Sequence, residues 1–347
     1  MKGTGKILAI LLIALIFAAP AIGAEKLRVV GSWSNLTLYK NLEKPFWTET
    51  IPQALDGKVE TIMTSLDQVN IQGAAVLRQM QNGVFDVVHT VVDYVVSDCP
   101  ELAGLDLPAL APDLETARKV VDAYLPVMTQ ALEKTFNAKL LAITPYPAQI
   151  LFTNVKISGL SDLKGKKIRA SGWTTSAFIE ALGAAGVNIS FSEVAQSLQR
   201  GVVEGAVTGS LSGYNAGWSE VTSHLYPLPI GGWDYVMTVM NLDRWNQFSA
   251  DEQAKIEKLI KEQLETPGWA VTEEETQKGI DLLTGLEKSA TGIKADLTLV
   301  EIKPSDVELS RKILVETVLP AFAKQAGAEA AARWNETIGK VVDLEAK

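Results

Sequence analysis

Residues 168–209 read IRASGWTTSAFIEALGAAGVNISFSEVAQSLQRGVVEGAVTG, and this stretch sets the architecture. Short β-forming runs alternate in it with helical runs, and glycines stand where each helix should stop. The predicted strands are 168–170, 188–190 and 206–208, and the predicted helices are 175–182 and 192–200. Strands that alternate with helices of this length predict βαβ units around a mostly parallel sheet.

The same alternation already occurs earlier in the chain. The predicted strands there are 27–30, 59–63, 85–88 and 140–144, and the predicted helices are 72–81 and 113–131. A near-continuous apolar run, Val236 to Asn241, fits a buried central strand. Two α/β units in succession predict a two-lobed protein of the α/β class.

The chain becomes helical after Asn241. Capping boxes at 249–252 and 305–308 start two helices, and Pro267-Gly268 predicts a kink or break in the first of them. These late helices are predicted to pack across both lobes.

The composition limits the kinds of site and partner that the chain can have. The chain has 347 residues, of which 47% are apolar and 21% charged, and this size and mixture suit two globular domains. The single cysteine, Cys99, excludes an intramolecular disulfide, and with only His89 and His224 beside it a zinc site of Cys and His alone cannot be built. The formal charge of -9 and the lack of a basic stripe argue against a nucleic-acid partner.

The first 24 residues predict a secretory signal peptide. Lys2 and Lys6 precede the apolar run 7–19, and small residues surround Gly23 and Ala24, where we expect the cut. The apolar run is shorter than the roughly 20 residues that span a bilayer. Removal of the two lysines takes the formal charge from -9 to -11. We therefore expect an acidic, freely diffusing protein of a Gram-negative periplasm.

Two catalytic or phosphate-binding motifs fail on spacing or residue type, and a third, a Cys-His pair that spacing alone does not exclude, is disfavoured by its surroundings. The run 159–167 has five residues between its glycines where a phosphate loop needs four, and 209–213 has leucine where a nucleophile elbow needs serine. Cys99 and His89 lack a recognisable oxyanion donor beside the cysteine. The sequence therefore predicts no enzyme, and we expect neither a cofactor nor a metal.

Three tryptophans occupy Gly/Ser-rich turns at predicted strand ends. They are Trp33 in GSWS, Trp173 in SGWT and Trp233 in GGWD, the last followed by Asp234. Ligands of open α/β sheets bind at such strand ends, so these turns are predicted to line a pocket.

Several motifs together resemble the solute-binding proteins of tripartite ATP-independent periplasmic (TRAP) transporters. They are GLSDLKGKKIR at 159–169, ALGA at 181–184, FSEV at 191–194, LQ at 198–199 and GVVEG at 201–205. Their order and spacing are those of the family, and weaker similarity covers most of the mature chain. The resemblance implies a two-lobed fold of the periplasmic-binding-protein type II kind, with crossover hinge strands and C-terminal helices across both lobes. It also implies a receptor that closes on an organic acid and docks on the small and large TRAP membrane subunits.

The resemblance also implies roles for individual residues. Arg169 ends the KIR strand, so it matches the arginine that binds the ligand carboxylate. Phe191 matches a phenylalanine that packs on the ligand, and Thr208 falls where the family often has asparagine. Gln149 stands where sugar-acid-binding members have a second arginine. One matched arginine favours a monocarboxylate, and the turn tryptophans favour an apolar or aromatic ligand body.

Approximate alignment adds Asn35, Gln72 and Tyr94 to the predicted site, on the first lobe beside Trp33. We predict lobe I as 25–147 plus 234–270 and lobe II as 148–233 plus 271–347, with hinges near 148–154 and 233–241. The alternatives are a binding protein of an ATP-driven importer, a receptor that serves a sensor, and a secreted hydrolase. The pairing of DLKGKKIR with FSEV argues against the first, and the absence of a catalytic motif argues against the last.

Overall fold

The computed structural model describes residues 24–69, 71, 73–288, 292 and 295–347. Of the predicted signal peptide, residues 1–23 lie outside these described residues, as does the predicted site residue Gln72. Within the described part of the chain, no helix is both long and apolar enough to cross a bilayer.

Eleven strands form within the described residues. In chain order they are β1 Glu25–Gly31, β2 Val59–Ser65, β3 Val87–Val91, β4 Ala138–Thr144, β5 Gln149–Thr153, β6 Lys167–Ala170, β7 Ala185–Asn188, β8 Gly205–Gly209, β9 His224–Tyr226, β10 Val236–Asn241 and β11 Thr298–Leu299. They form two sheets, one ordered β2-β1-β3-β10-β4 and the other β11-β9-β5-β8-β6-β7. Each sheet is the centre of one lobe, so the two-lobed prediction is confirmed.

The expected mostly parallel sheets are in fact mixed. The pairs β1–β2, β1–β3, β6–β7, β6–β8 and β9–β11 are parallel. By contrast β10 is antiparallel to β3 and β4, and β5 is antiparallel to β8 and β9. The strands β5 and β10 each enter their sheet directly from the other lobe, without the helical crossover that a parallel connection needs.

Two crossing segments, 145–149 and 231–235, join the lobes side by side. The Tyr146 N–H donates to the Trp233 carbonyl at 2.9 Å, and the Gln149 N–H donates to the Gly232 carbonyl at 3.0 Å. These bonds pair the two connections, as expected for a hinge region. The exact lobe boundaries and the hinge motion stay predictions.

Helices cover both sheets. The α-helices are Ile51–Ala54, Leu66–Val69, Ala75–Gln81, Leu114–Phe136, Trp173–Ala181, Val194–Gln199, Ser210–Asn215, Leu242–Trp245, Ala250–Ile260, Thr266–Leu283, Pro304–Ile313, Leu319–Ala326, Ala328–Trp334 and Lys340–Val342. The π-helical turns are Leu38–Glu43, Phe46–Thr50, Lys261–Glu265, Leu314–Val318 and Asn335–Gly339. The 3-10 turns are Val92–Tyr94, Pro100–Leu105, Leu160–Leu163, Phe191–Glu193 and Trp218–Glu220.

The predicted break at Pro267 is wrong. Helix Ala250–Ile260 continues through the π-helical turn Lys261–Glu265 into Thr266–Leu283. Pro267 stands in the first turn of that last segment, where a missing N–H is tolerated. The capping box at Ser249 is present as predicted.

Helix Thr266–Leu283 runs along both lobes. At its start the Trp269 indole donates to the carbonyl of Ile143 at 2.8 Å, beside the first sheet. Two turns later the Ser210 hydroxyl, beyond the end of β8, donates to the Thr276 carbonyl at 2.7 Å. A Cβ on Gly279 would lie 2.2 Å from the Leu211 nitrogen, so only glycine permits this approach.

The C-terminal helices also contact both lobes. Asp306 accepts hydrogen bonds from the Tyr226 hydroxyl at 2.7 Å and from the Leu160 N–H at 2.9 Å, on the second lobe. The Trp334 indole donates to the Gly104 carbonyl at 2.9 Å, on the first lobe. The predicted packing of late helices across both lobes is therefore confirmed.

Candidate functional site

A small closed cavity lies between the lobes, beside the two crossing segments. Its walls come from both lobes and from the crossings: Trp33, Leu36, Tyr94, Tyr146, Arg169, Phe191, Thr208, Ser212 and Asp234. Its internal volume is only about 10 Å³, close to the space of one water molecule, so the walls nearly touch and a ligand could enter only when they move apart.

Arg169 provides the cationic group of this cavity. It lies on β6 and is 2% exposed. Its Nε donates to the Ile189 carbonyl at 2.8 Å, and Nη1 donates to the Val207 carbonyl at 2.7 Å. Burial lowers the pKa of the guanidinium, although nearby Tyr94, Asp234 and Asp93 act in the opposite direction.

The two carbonyls orient the guanidinium without neutralising its charge. Among the described residues, no carboxylate lies within 4.0 Å of a nitrogen of Arg169. A guanidinium has five N–H donors in a fixed planar arrangement, and two nitrogens are held by carbonyls here. A buried charge without a counterion is costly, so the site favours an anion that presents a planar pair of oxygens.

Aromatic rings form the walls around the guanidinium. Trp33 contacts three rings, those of Tyr94 at 5.7 Å, Phe191 at 5.3 Å and Tyr146 at 6.2 Å between centroids. Behind Phe191 lies the fully buried Trp218, at 5.6 Å. Edge-on ring contacts of this kind exclude water and lower the local dielectric, which strengthens a charged contact made inside.

Three hydrogen bonds join the lobes around the cavity. The Phe191 N–H donates to the Tyr94 hydroxyl at 3.0 Å, and the Ser171 hydroxyl donates to Asp93 Oδ2 at 2.8 Å. The Asn35 amide donates to the carbonyl of Asn215 at 3.4 Å. These bonds exist only when the two lobes meet, so they stabilise the closed arrangement.

Three acids, Asp93, Asp106 and Asp234, lie close to the cavity. Asp106 accepts the N–H of Trp233 at 2.9 Å and of Asp234 at 2.7 Å, which fixes the crossing segment. Burial raises the pKa of Asp106 well above its usual value, and the charge of Asp93 adds to the effect. Burial likewise raises the pKa of Asp93, against the Ser171 hydrogen bond and Arg169.

Asp234 is the acid that lines the cavity itself. Its backbone is left-handed, with φ of 45°, a conformation that Asp and Asn tolerate better than most residues. Burial and the charge of Asp93 raise its pKa to about 7, while Arg169 acts to lower it. Within the described residues, its buried Oδ1 has no hydrogen-bond partner.

The structure brings six of the predicted site residues to one cavity. They are Trp33, Tyr94, Arg169, Phe191, Thr208 and Asp234. Trp173 lies at the mouth of the cleft with Asp93 and Ser171. Asn35 makes the interlobe bond to Asn215 and does not line the cavity.

Two further predicted residues support the crossing segments. The Gln149 amide donates to the carbonyl of Pro147 at 2.8 Å, and the Trp233 indole donates to the carbonyl of Ala111 at 3.0 Å. Neither lines the cavity in this structure. The ligand contacts of all these residues stay predictions.

Leu36, Tyr146 and Ser212 line the cavity without having been predicted. Leu36 follows the Trp33 turn, and Tyr146 precedes the predicted hinge, so proximity to those features was the available signal. Ser212 lies in the short helix after β8, where the sequence pattern suggests nothing beyond a serine pair. Among the described residues, no group of three His, Cys, Asp or Glu side chains could hold a metal ion.

The sequence and fold match known proteins. A family model described as DctP, bacterial extracellular solute-binding protein, family 7, matches residues 33–292. The C4-dicarboxylate-binding periplasmic protein DctP of Rhodobacter capsulatus is 27% identical over 232 residues, which cover 65% of this chain and 68% of the relative.

Two solved structures share the fold. One is DctP7 of Bordetella pertussis, an extracytoplasmic solute receptor binding pyroglutamic acid, with a TM-score of 0.80 and 19% identity over 90% of this chain and 99% of that chain. The other is a TRAP periplasmic solute-binding protein of Desulfovibrio salexigens with bound orotic acid, with a TM-score of 0.79 and 18% identity over 91% of this chain and 99% of that chain.

These matches confirm the resemblance to TRAP solute-binding proteins and the two-lobed fold, both of which the sequence predicts. The family consists of solute-binding receptors rather than enzymes, in agreement with the lack of a catalytic motif. The chain belongs to the DctP family of bacterial extracellular solute-binding proteins, family 7.

Proposed function

We propose that this chain is a periplasmic receptor that binds a small organic acid through Arg169 and delivers it to the two membrane subunits of a TRAP transporter. The supporting observation is the buried guanidinium, which two carbonyls orient and no described carboxylate neutralises. A ligand carboxylate would supply the missing charge, and each charge-assisted hydrogen bond contributes about 1.5–3 kcal/mol.

The ligands of the similar structures support a compact carboxylate. Pyroglutamate and orotate, bound by the Bordetella pertussis and Desulfovibrio salexigens proteins, each carry one carboxylate on a small ring. The curated relative from Rhodobacter capsulatus is a C4-dicarboxylate-binding protein, so succinate belongs in the same test.

Delivery requires the closed form to be distinguishable from the open form at the surface. The bonds of Tyr94 to Phe191 and of Asp93 to Ser171 form only when the lobes close. A ligand that contacts both lobes would increase the closed population by its differential affinity. The signal peptide would direct export and be removed near Gly23 or Ala24, which mass spectrometry of the periplasmic protein can check.

Arg169→Ala tests the proposal. We expect affinity for the best-binding carboxylate to fall at least about a hundredfold in titration calorimetry of the folded variant. The ligand-free variant should also melt at a lower temperature, because the Ile189 and Val207 carbonyls lose their donor. Arg200→Ala is the matched control, because Arg200 is exposed at the end of helix Val194–Gln199. Unaltered binding by Arg169→Ala would show that the guanidinium is structural and would refute the proposal.

A further inference from the structure

Besides the guanidinium of Arg169, a second group at the cavity lacks a partner within the protein. Asp234 lines the same cavity as Arg169, and its Oδ1 is buried without a hydrogen-bond partner among the described residues. Buried carboxylate oxygens in folded proteins are almost always paired, because an unpaired one loses its hydration without compensation.

Neither Arg169 nor the crossing segment satisfies this oxygen. Within the described residues, no nitrogen of Arg169 lies within 4.0 Å of a carboxylate oxygen of Asp234. The Asp234 backbone N–H is bound by Asp106, which holds the residue in place and leaves its side chain at the cavity wall. The cavity therefore offers a cation and, separately, a hydrogen-bond acceptor.

We propose that Asp234 selects ligands in which the carboxylate bound by Arg169 is accompanied by an N–H donor, either a neutral ring N–H or an ammonium group. The donor would bind Asp234 Oδ1 while the carboxylate binds Arg169, so one compact ligand satisfies both groups. This inference rests on the proposed function and extends it to the class of ligand.

The same acid disfavours simple dicarboxylates. Above its pKa of about 7 Asp234 is ionised, so a second ligand carboxylate directed toward it would then meet a like charge. Like charges in a water-poor cavity repel strongly, and specificity often arises from such a repulsive element. Arg169 is the single cation on the cavity wall within the described residues, and it can neutralise one carboxylate.

A matched series of five-membered ring carboxylates tests the inference on the unmodified mature protein. L-Pyroglutamate has a neutral ring N–H, L-proline has a ring ammonium, tetrahydrofuran-2-carboxylate has a ring oxygen, and cyclopentanecarboxylate has a methylene at that position. We expect at least one of the two nitrogen compounds to bind at least about tenfold more tightly than both of the others and than succinate.

Variants of Asp234 assign the preference to the residue. Asparagine tolerates the left-handed backbone and keeps the side-chain size, so the fold should persist. Because the asparagine oxygen can still accept a neutral ring N–H, Asp234→Asn should weaken only a preference for an ammonium group. In Asp234→Gly, which keeps the left-handed backbone and has no side-chain acceptor, we expect the tenfold preference for either nitrogen compound to shrink to less than threefold. Asp56→Asn is the matched control, because Asp56 is also left-handed but exposed in a distant turn.

The outcomes separate this inference from the proposed function. Two results together would overturn the Asp234 inference alone. Tetrahydrofuran-2-carboxylate, cyclopentanecarboxylate or succinate would bind as tightly as the nitrogen compounds, and the affinity of these acids would be lost in Arg169→Ala. A preference that persists in Asp234→Gly would do the same. Binding of the series without dependence on Arg169, or no binding by any of these acids, would overturn both.

Discussion

Two polar clusters differ in their position relative to the interlobe cavity. One surrounds Glu43 and His89 inside lobe I, and the other surrounds Arg169 at the cleft. In the lobe I cluster, the Trp47 indole donates to His89 Nε2 at 2.6 Å, and His89 Nδ1 lies 3.0 Å from the Thr238 hydroxyl. Glu43 accepts the Ser32 N–H at 2.7 Å, and its other oxygen lies 3.3 Å from His89 Nδ1. That oxygen, Oε1, has no hydrogen-bond partner among the described residues, so Glu43 is only partly paired.

The cleft cluster consists of Arg169, Asp93, Asp106 and Asp234. Arg169, Asp93 and Asp106 are buried, and Asp234 is half-buried. Asp93 and Asp106 have partners within the protein. Among the described residues, no carboxylate lies within 4.0 Å of a nitrogen of Arg169, and Asp234 Oδ1 has no hydrogen-bond partner. Within the part of the chain that the structure describes, both clusters contain a carboxylate oxygen without a hydrogen bond, Glu43 Oε1 in lobe I and Asp234 Oδ1 at the cleft. The distinction is that Arg169 and Asp234 line the interlobe cavity, whereas Glu43 does not.

Glu43→Ala gives the largest expected effect on stability. It removes the acceptor of the Ser32 N–H and the acid facing His89, both fully inside lobe I. Leaving the buried Ser32 N–H without its acceptor costs about 1–3 kcal/mol, which denaturant unfolding of the ligand-free protein would measure. Ligand affinity should change less than about threefold where the variant is folded, because Glu43 does not line the cavity.

Glu49→Ala is the control for this variant, because Glu49 is an exposed acid in the adjacent π-helical turn Phe46–Thr50. Its effect should stay within about 0.5 kcal/mol. Equal unfolding free energies for the two variants would show that the lobe I cluster is not structural.

The fold was predictable from sequence to the level of the two lobes. Strand β10 was predicted at its observed bounds, because a buried apolar run is a strong local signal. The strand predicted at 188–190 instead occupies Ala185–Asn188, directly after the turn at Gly183. The antiparallel direction of β5 and β10 was missed, since direction depends on which lobe a strand comes from and leaves no local pattern.

The site was predictable only where a motif reports on it. Arg169 and Phe191 came from the family resemblance, and Trp33 from a Gly/Ser-rich turn at a strand end. Tyr146 and Ser212 were missed because their positions depend on two distant segments meeting at the cleft. No single-sequence pattern distinguishes the paired Asp106 from the unpaired Asp234, since pairing is decided by the tertiary structure.

Asp234→Asn gives the next largest effect, through pH. Its pKa of about 7 in the fold exceeds the unfolded value of roughly 3.9, so the native state retains a proton that the unfolded state loses. The protonated acid therefore contributes stability at low pH that is lost as pH rises toward and through 7. We expect the variant to gain about 2 kcal/mol relative to the unmodified protein between pH 5 and pH 8.

Denaturant unfolding of the ligand-free proteins at both pH values measures this difference. Arg169, Asp93 and Asp106 contribute to the same field, so the variant removes only the part that belongs to Asp234. Asp56→Asn should show no such change with pH. A constant difference between Asp234→Asn and the unmodified protein would mean that the unpaired oxygen costs nothing when ionised.

Ser171→Ala gives the smallest effect and tests the lobe contact itself. The Ser171 hydroxyl donates to Asp93 across the cleft, and its loss removes about 1 kcal/mol from the closed form alone. Ligand affinity should therefore fall about fivefold in calorimetry, because binding must close lobes that hold together less well. Ser97→Ala is the control, since Ser97 also lies at the cleft mouth but bonds to Asp98 of its own lobe. Equal affinities in the two variants would contradict a role for this bond in closure, and the cleft cluster would then act through its charges alone.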